Sequence, residues 1–140
     1  MSAQQDGTAV TRPPALRETV ARTAEQWSRV SQAGDFVGML ALMAPGATAW
    51  QSGGAPPGLF VDAVAGLRAI RERLGPWQYL SPRRVVDENG FCEQHVVRFS
   101  RPDGWVRDIT ACVVAQVGQD GLITRLDEYL DPARDSTWLT

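Results

Sequence analysis

The stretch Val114-Ala-Gln-Val-Gly-Gln-Asp-Gly-Leu-Ile-Thr-Arg-Leu-Asp-Glu-Tyr-Leu-Asp-Pro-Ala133 decides the fold. Gly118 to Gly121 is a tight turn, and Leu122 to Leu130 is an alternating run that ends among acids. Period-two alternation bounded by turn residues predicts β-strands. The same period extends backwards. Trp105 to Val117 is a long strand, Arg101-Pro-Asp-Gly104 a turn, and Phe91 to Phe99 another strand. Asp87-Glu-Asn-Gly90 carries the Asn-Gly hairpin signal, and Tyr79 to Val86 is the strand before it. The second half of the chain therefore reads as an antiparallel meander.

The first half has the helical period. Thr11-Arg-Pro-Pro-Ala15 suits a helix start, because proline is tolerated in the first turn. Leu16, Val20, Ala24, Trp27 and Val30 then form one apolar stripe, ended by Gly34. Asp35 can cap a second, shorter helix carrying Phe36, Met39, Leu40 and Met43, closed by Pro45-Gly46. Ala47 to Gln51 is a short strand, and Ser52 to Gly58 is a loop by composition. Asp62 to Leu74 is a third helix, with Val64, Leu67, Ile70 and Leu74 on one side, and Gly75-Pro76 stops it. Three helices followed by a meander predict an α+β fold, with the helices packed on one face of a curved sheet. The expected organisation is a flexible tail at residues 1–12, a single domain over 13–134 and a C-terminal tail at 135–140.

Composition narrows the function classes. The 140 residues are 44% hydrophobic and 21% charged, with a net charge of −2. No basic stripe exists to grip a phosphate backbone, so no nucleic-acid partner is expected. No apolar run approaches the roughly 18 residues of a membrane span. Met1 to Val10 lack an apolar signal region, and a cytoplasmic location is expected. Cys92 and Cys112 lie in apolar strand text without metal-ligand spacing and read as buried free thiols. With His95 the single histidine, no metal and no cofactor is expected.

On the Phe91 strand, Phe91, Glu93, His95, Val97 and Phe99 form the more apolar face and should point inward. On the Trp105 strand the two faces are about equally apolar.

Several segments together resemble the nuclear transport factor 2-like superfamily, and within it the SnoaL-like group. They are Gln94-His-Val-Val-Arg-Phe99, Ala111-Cys-Val-Val114 and Asp120-Gly-Leu-Ile-Thr-Arg-Leu-Asp-Glu-Tyr-Leu-Asp131, supported by Trp27, the Gly34-Asp35 step and Gly66-Leu-Arg-Ala-Ile70. The resemblance spans Leu16 to Ala133. It implies a cone-shaped, mixed or antiparallel sheet wrapped around the three helices, whose concave face lines a pocket for a small hydrophobic molecule. It also implies a homodimer through the outer sheet face, where Val96, Val106, Cys112 and Val114 would supply an apolar patch. The superfamily includes polyketide cyclases, ketosteroid isomerase, limonene epoxide hydrolase and dehydratases, so the fold leaves the chemistry open.

By the same resemblance the face carrying Arg107, Ile109 and Ala111 turns inward. Text similar to Leu126-Asp-Glu-Tyr-Leu-Asp131 occurs in limonene epoxide hydrolase, where the acid before the tyrosine works inside the pocket; the matching residue is Glu128. Asp127 then points out, near Arg125. The pocket residues expected are Trp27, Phe36, Leu40, Trp50, Phe60, Tyr79, Val97, Ile109, Ala111 and Leu126. A carboxylate in an apolar cone resists ionisation, and a histidine titrates near neutrality. Glu128 and His95 are thus the candidate acid/base pair, with Arg107 or Tyr79 steadying an oxyanion. The residues are equally consistent with His95 as a hydrogen-bonded core side chain and Glu128 as a strand-end acid.

The first-strand acid of ketosteroid isomerase is replaced here by Trp50-Gln-Ser52, and its penultimate-strand acid by apolar text around Ala111 to Val113. Of the limonene epoxide hydrolase set only Glu128 is kept. The function expected is cofactor-free cyclisation or isomerisation of a polyketide- or terpenoid-type substrate. The alternatives are an epoxide hydrolase or dehydratase of the same fold, and a non-catalytic small-ligand-binding or dimerisation module.

Overall fold

The computed structural model describes residues 15–53 and 55–131. The helix start expected at residues 11–14, both terminal tails and the end of the resemblance at Pro132 and Ala133 lie outside the described residues.

The first helix, α1 (Leu16–Ala33), buries Val20, Thr23, Ala24, Trp27 and Ser31 along one stripe. Gly34 ends it in the left-handed conformation, at φ 64°, which costs a glycine nothing. The Asp35 side chain accepts a hydrogen bond from the Gly38 amide at 2.8 Å and caps α2 (Phe36–Ala41). This helix is shorter than the apolar spacing predicts. The Leu42 carbonyl accepts from the Ile123 amide, and strand β1 (Met43–Gln51) begins where the helix was expected to continue. Next come β2 (Gly58–Leu59), α3 (Phe60–Leu74), β3 (Trp77–Val86), β4 (Gly90–Ser100), β5 (Val106–Val117) and β6 (Ile123–Asp131). On α3 the side chains buried are Phe60 and Val64, whereas Ile70, expected on the inner stripe, is exposed.

The six strands form one curved, unclosed sheet in the order β2-β1-β6-β5-β4-β3. The expected meander is present over β3 to β6, all antiparallel. One junction is not antiparallel: β1 runs parallel to β6, with Ala49 beside Leu126 and Gln51 beside Glu128. The architecture is therefore α+β with a mixed sheet.

Two irregularities in register decide which side chains face the helices. Between Leu80 and Arg83 strand β3 carries one residue more than β4, and Ser81 there takes a positive φ of 52°. A bulge of this kind reverses the parity of alternation. Tyr79, paired with Val97, and Arg84, paired with Glu93, consequently share the concave face, although one number is odd and the other even. Between Gln116 and Val117 a second shift turns Ile123 inward to complete burial, together with Leu126 three residues later.

The core forms two groups. One holds Val20, Trp27, Met39, Phe60, Val113 and Ile123 between helices and sheet. The other gathers Trp77, Val97, Phe99 and Ala111 toward the far end of β4 and β5. Trp27 and Phe60 meet edge to face, with ring centroids 5.8 Å apart. On the opposite, outer face the Cys92 and Cys112 sulfurs lie 3.4 Å apart as free thiols. Burial, then the neighbouring Cys92, pushes the Cys112 thiol up to about 11. Among the described residues no helix is long and apolar enough to cross a membrane, and no group of three or more His, Cys, Asp or Glu side chains could hold a metal ion.

Candidate functional site

Strand β4 carries the centre of the site. Its side chains alternate, and Phe91, Glu93, His95, Val97 and Phe99 are all buried on the concave face. Two of these five are polar, and both are nearly sealed from solvent, Glu93 at 2% and His95 at 3% exposure. Burying such groups is costly unless they are partnered. His95 Nδ1 lies 2.8 Å from Glu93 Oε2. Arg84 reaches the other oxygen, Oε1, through Nε at 2.9 Å and Nη2 at 2.7 Å. Burial alone would raise the Glu93 pKa. The hydrogen bonds from His95 and Arg84, and the charge of Arg84, outweigh it and hold Glu93 below the usual carboxylate range. An ionised carboxylate only accepts, so Nδ1 must carry the proton it donates. In the neutral ring the lone pair is then on Nε2, and that buried atom has no hydrogen-bond partner among the described residues.

Tyr79 from β3 lies flat on the imidazole, with centroids 3.7 Å apart and planes 10° from parallel. Its position is set by α1: Gln32 Oε1 accepts from the Tyr79 amide at 2.8 Å, and Ser31 and the Tyr79 hydroxyl share a hydrogen bond. Burial, followed by the charge of Glu128, keeps the phenol well above its ordinary range, against the opposing Ser31 bond. Tyr79 is accordingly a neutral hydroxyl.

The sheet register puts five residues in one transverse row: Arg84, Glu93, Val113, Glu128 and Gln51. Val113 alone separates the two acids, about 10 Å between backbones at two strand spacings. Gln51 Nε2 donates to Glu128 Oε1 at 2.8 Å. Desolvation raises the Glu128 pKa, and the Gln51 bond only partly opposes it. The row thus presents two carboxyl groups pushed apart in acidity, Glu93 toward the anion and Glu128 toward the acid. Such divergence is how one site holds both an acid and a base.

The other residues expected from the sequence are distributed as follows. Leu126 and Ala111 are buried on the concave face, and Ile109 is half-buried in the second core group beside Val97. Phe36 packs against both groups beneath the Arg68 guanidinium, 4.7 Å from its ring centre, and Leu40 packs against the first. Trp50 is not a wall of the cone. It neighbours Gln51, which bonds inward, so alternation turns it outward, where its ring meets exposed Tyr129 with centroids 5.1 Å apart. Arg107 is not brought to the cluster either. It pairs with Phe99 and is exposed, four residues and so roughly 13 Å along β5 from Ala111, which pairs with His95. Asp127 does point away from the cone and bonds Arg125 at 3.0 Å.

Glu93, Arg84, Gln51 and Ser31 were not anticipated as site residues. For Glu93 a signal existed, a carboxylate two positions before the histidine on the same strand face. For Arg84 and Gln51 none did, because a bulge and a parallel junction place them.

Two hollows border these elements. One of about 410 Å³ is lined mainly by outer-face residues, among them Arg83, Gln94, Thr110 and Tyr129, and also by His95, Ala111 and Leu130. One of about 290 Å³ lies between β1 and the start of α3, against Leu40, Ala47 and Phe60.

The sequence matches no protein-family model and no curated protein. Solved structures do match. The BvnE pinacolase of Penicillium brevicompactum superposes with a TM-score of 0.76 at 14% identity, covering 94% of this chain and 95% of that one. PrhC of Penicillium brasilianum NBRC 6234 gives 0.71 at 18% identity, over 86% of this chain and 85% of that one. A candidate SnoaL-like polyketide cyclase from Jannaschia sp. CCS1 gives 0.68 at 17% identity, over 86% and 90%. Helices, mixed sheet and nearly full-length superpositions agree: the chain has the nuclear transport factor 2-like fold.

Proposed function

We propose that the protein is a cofactor-free acid/base catalyst that cyclises or isomerises a hydrophobic, polyketide- or terpenoid-type molecule. The observation that carries this is the state of His95. Its Nδ1 proton is committed to Glu93, which Arg84 holds ionised, and its buried Nε2 is left to act as the base. Glu128, biased toward its protonated form, is the matching acid, and Tyr79 is a neutral donor beside them. Glu93 is a positioning residue: it fixes the tautomer and orientation of the ring. Names of the superposed proteins, a pinacolase and a candidate polyketide cyclase, are compatible with this chemistry.

The test needs no native substrate. Exchange of the α-hydrogens of 1-indanone in D2O reports proton abstraction directly. The wild-type protein should accelerate it. His95→Ala and Glu128→Gln should each lose about a hundredfold of that acceleration, the usual contribution of a positioned acid or base. Equal exchange in both variants refutes the pair. A second reading, a non-catalytic small-ligand module, is favoured by the 410 Å³ hollow, lined mainly by outer-face residues, which reaches His95 but not Glu128. It predicts no exchange above solvent. A homodimer through that outer face belongs to the proposal as well, supported by exposed Val106, Val114 and Tyr129. Sedimentation over a concentration series tests it.

A further inference from the structure

Two side chains on the concave side each end in a buried ring nitrogen with no hydrogen-bond partner among the described residues: Trp27 Nε1 and His95 Nε2. Both residues are more than nine-tenths buried. Native interiors seldom leave such atoms unpaired, and those left unpaired commonly face a ligand or an ordered water. A chain of contacts links the two. Trp27 is one helical turn before Ser31 on the buried stripe of α1. Ser31 bonds the Tyr79 hydroxyl, and the Tyr79 ring lies on His95.

Their chemistry is complementary. An indole N–H can only donate. His95 Nε2, with the ring's proton held at Nδ1 by Glu93, accepts. A molecule that satisfies both needs an acceptor oxygen for Trp27 and a hydroxyl hydrogen for His95. Charge narrows the class further. Arg84 is bonded twice to Glu93, and Glu93 is itself a fixed anion within the cluster. A carboxylate or phosphate would meet that anion with its nearest cation already engaged. The side chains clustered with Trp27, among them Phe60, Val113 and Leu126, are apolar.

We infer that the cone takes an uncharged hydroxy ketone, its carbonyl oxygen on the Trp27 indole N–H and its hydroxyl on His95 Nε2, and that Trp27 selects for it. The inference rests on the acid/base reading only in giving His95 Nε2 the role of acceptor.

The test uses the full-length protein with 15N-labelled tryptophan, the Trp27 indole signal being assigned by its loss in Trp27→Phe. Three probes are titrated: 2-hydroxyacetophenone, acetophenone, which lacks the hydroxyl, and mandelate, which carries a carboxylate. The Trp27 signal should move with 2-hydroxyacetophenone, about tenfold more weakly with acetophenone, and not with mandelate. Trp27→Phe should bind 2-hydroxyacetophenone at least tenfold more weakly while its circular dichroism stays that of the wild type. Mandelate binding as tightly as the hydroxy ketone overturns the inference. So does a Trp27 signal unmoved by all three probes, the result expected of a bridging water only. Binding with no 1-indanone exchange removes the catalytic reading and keeps the recognition; exchange with no Trp27 response does the reverse.

Discussion

Replacing Glu93 by glutamine removes the charge at the centre of the row and keeps its shape. The carboxylate accepts three charge-assisted hydrogen bonds, at 2.9 and 2.7 Å from Arg84 and 2.8 Å from His95. At about 2 kcal/mol each, that is roughly 6 kcal/mol of favourable interaction. Several kcal/mol of it already offset the cost of burying the anion, which the amide does not incur. The net loss expected is about 2 kcal/mol, or about 7 °C in Tm for a domain of this size. Its pH dependence has a definite sign. The folded pKa of Glu93 lies below its unfolded value, so the stabilisation is complete above the unfolded pKa and disappears as pH falls through the folded one. The gap between wild type and Glu93→Gln should therefore be widest near neutrality and close in acid. The amide also has one acceptor and one donor arm. With its oxygen toward Arg84, its NH2 meets His95 Nδ1, which must then accept, and the ring proton moves to Nε2. Thermal unfolding at a series of pH values, with 15N spectra of the imidazole, reads both effects. An unchanged Tm near pH 7 together with an unchanged tautomer would refute the role assigned to Glu93.

Three further substitutions probe separate parts of the structure. Glu128→Gln should flatten the stability profile in the opposite sense: with a folded pKa above the unfolded one, Glu128 lowers stability as pH rises between the two, so the variant should gain on the wild type above that window in denaturant titrations. Asp35→Ala removes the cap of α2 and should cost about 1 kcal/mol in urea unfolding, with Asp35→Asn retaining most of it. Gly90→Ala should destabilise by about 2 kcal/mol, because an added Cβ collides with the Ala115 carbonyl on β5; a Tm equal to wild type would show that the two strands separate there without cost.

Local patterns carried most of the scaffold. The 3.6-residue stripe from Val20 to Trp27, the Asp35 cap, the glycine that ends α1 and the period-two text of β4 each depend on residues a few positions apart, and each is found as the sequence predicts. Burial of His95 and Glu93 followed from the same alternation. Tertiary structure decided what depends on distant segments. Parallel pairing of β1 with β6 shortened α2, turned Trp50 outward and delivered Gln51 to Glu128. The extra residue in β3 brought Tyr79 and Arg84 to one face, and without it the arginine that holds Glu93 ionised would point to the other side. Strand length, not residue type, left Arg107 at the exposed end of β5. Alternation along a strand is a local property of the backbone, whereas register, bulges and the partner across a junction are set by the total packing of the sheet against the helices, a balance that no short stretch of the chain contains.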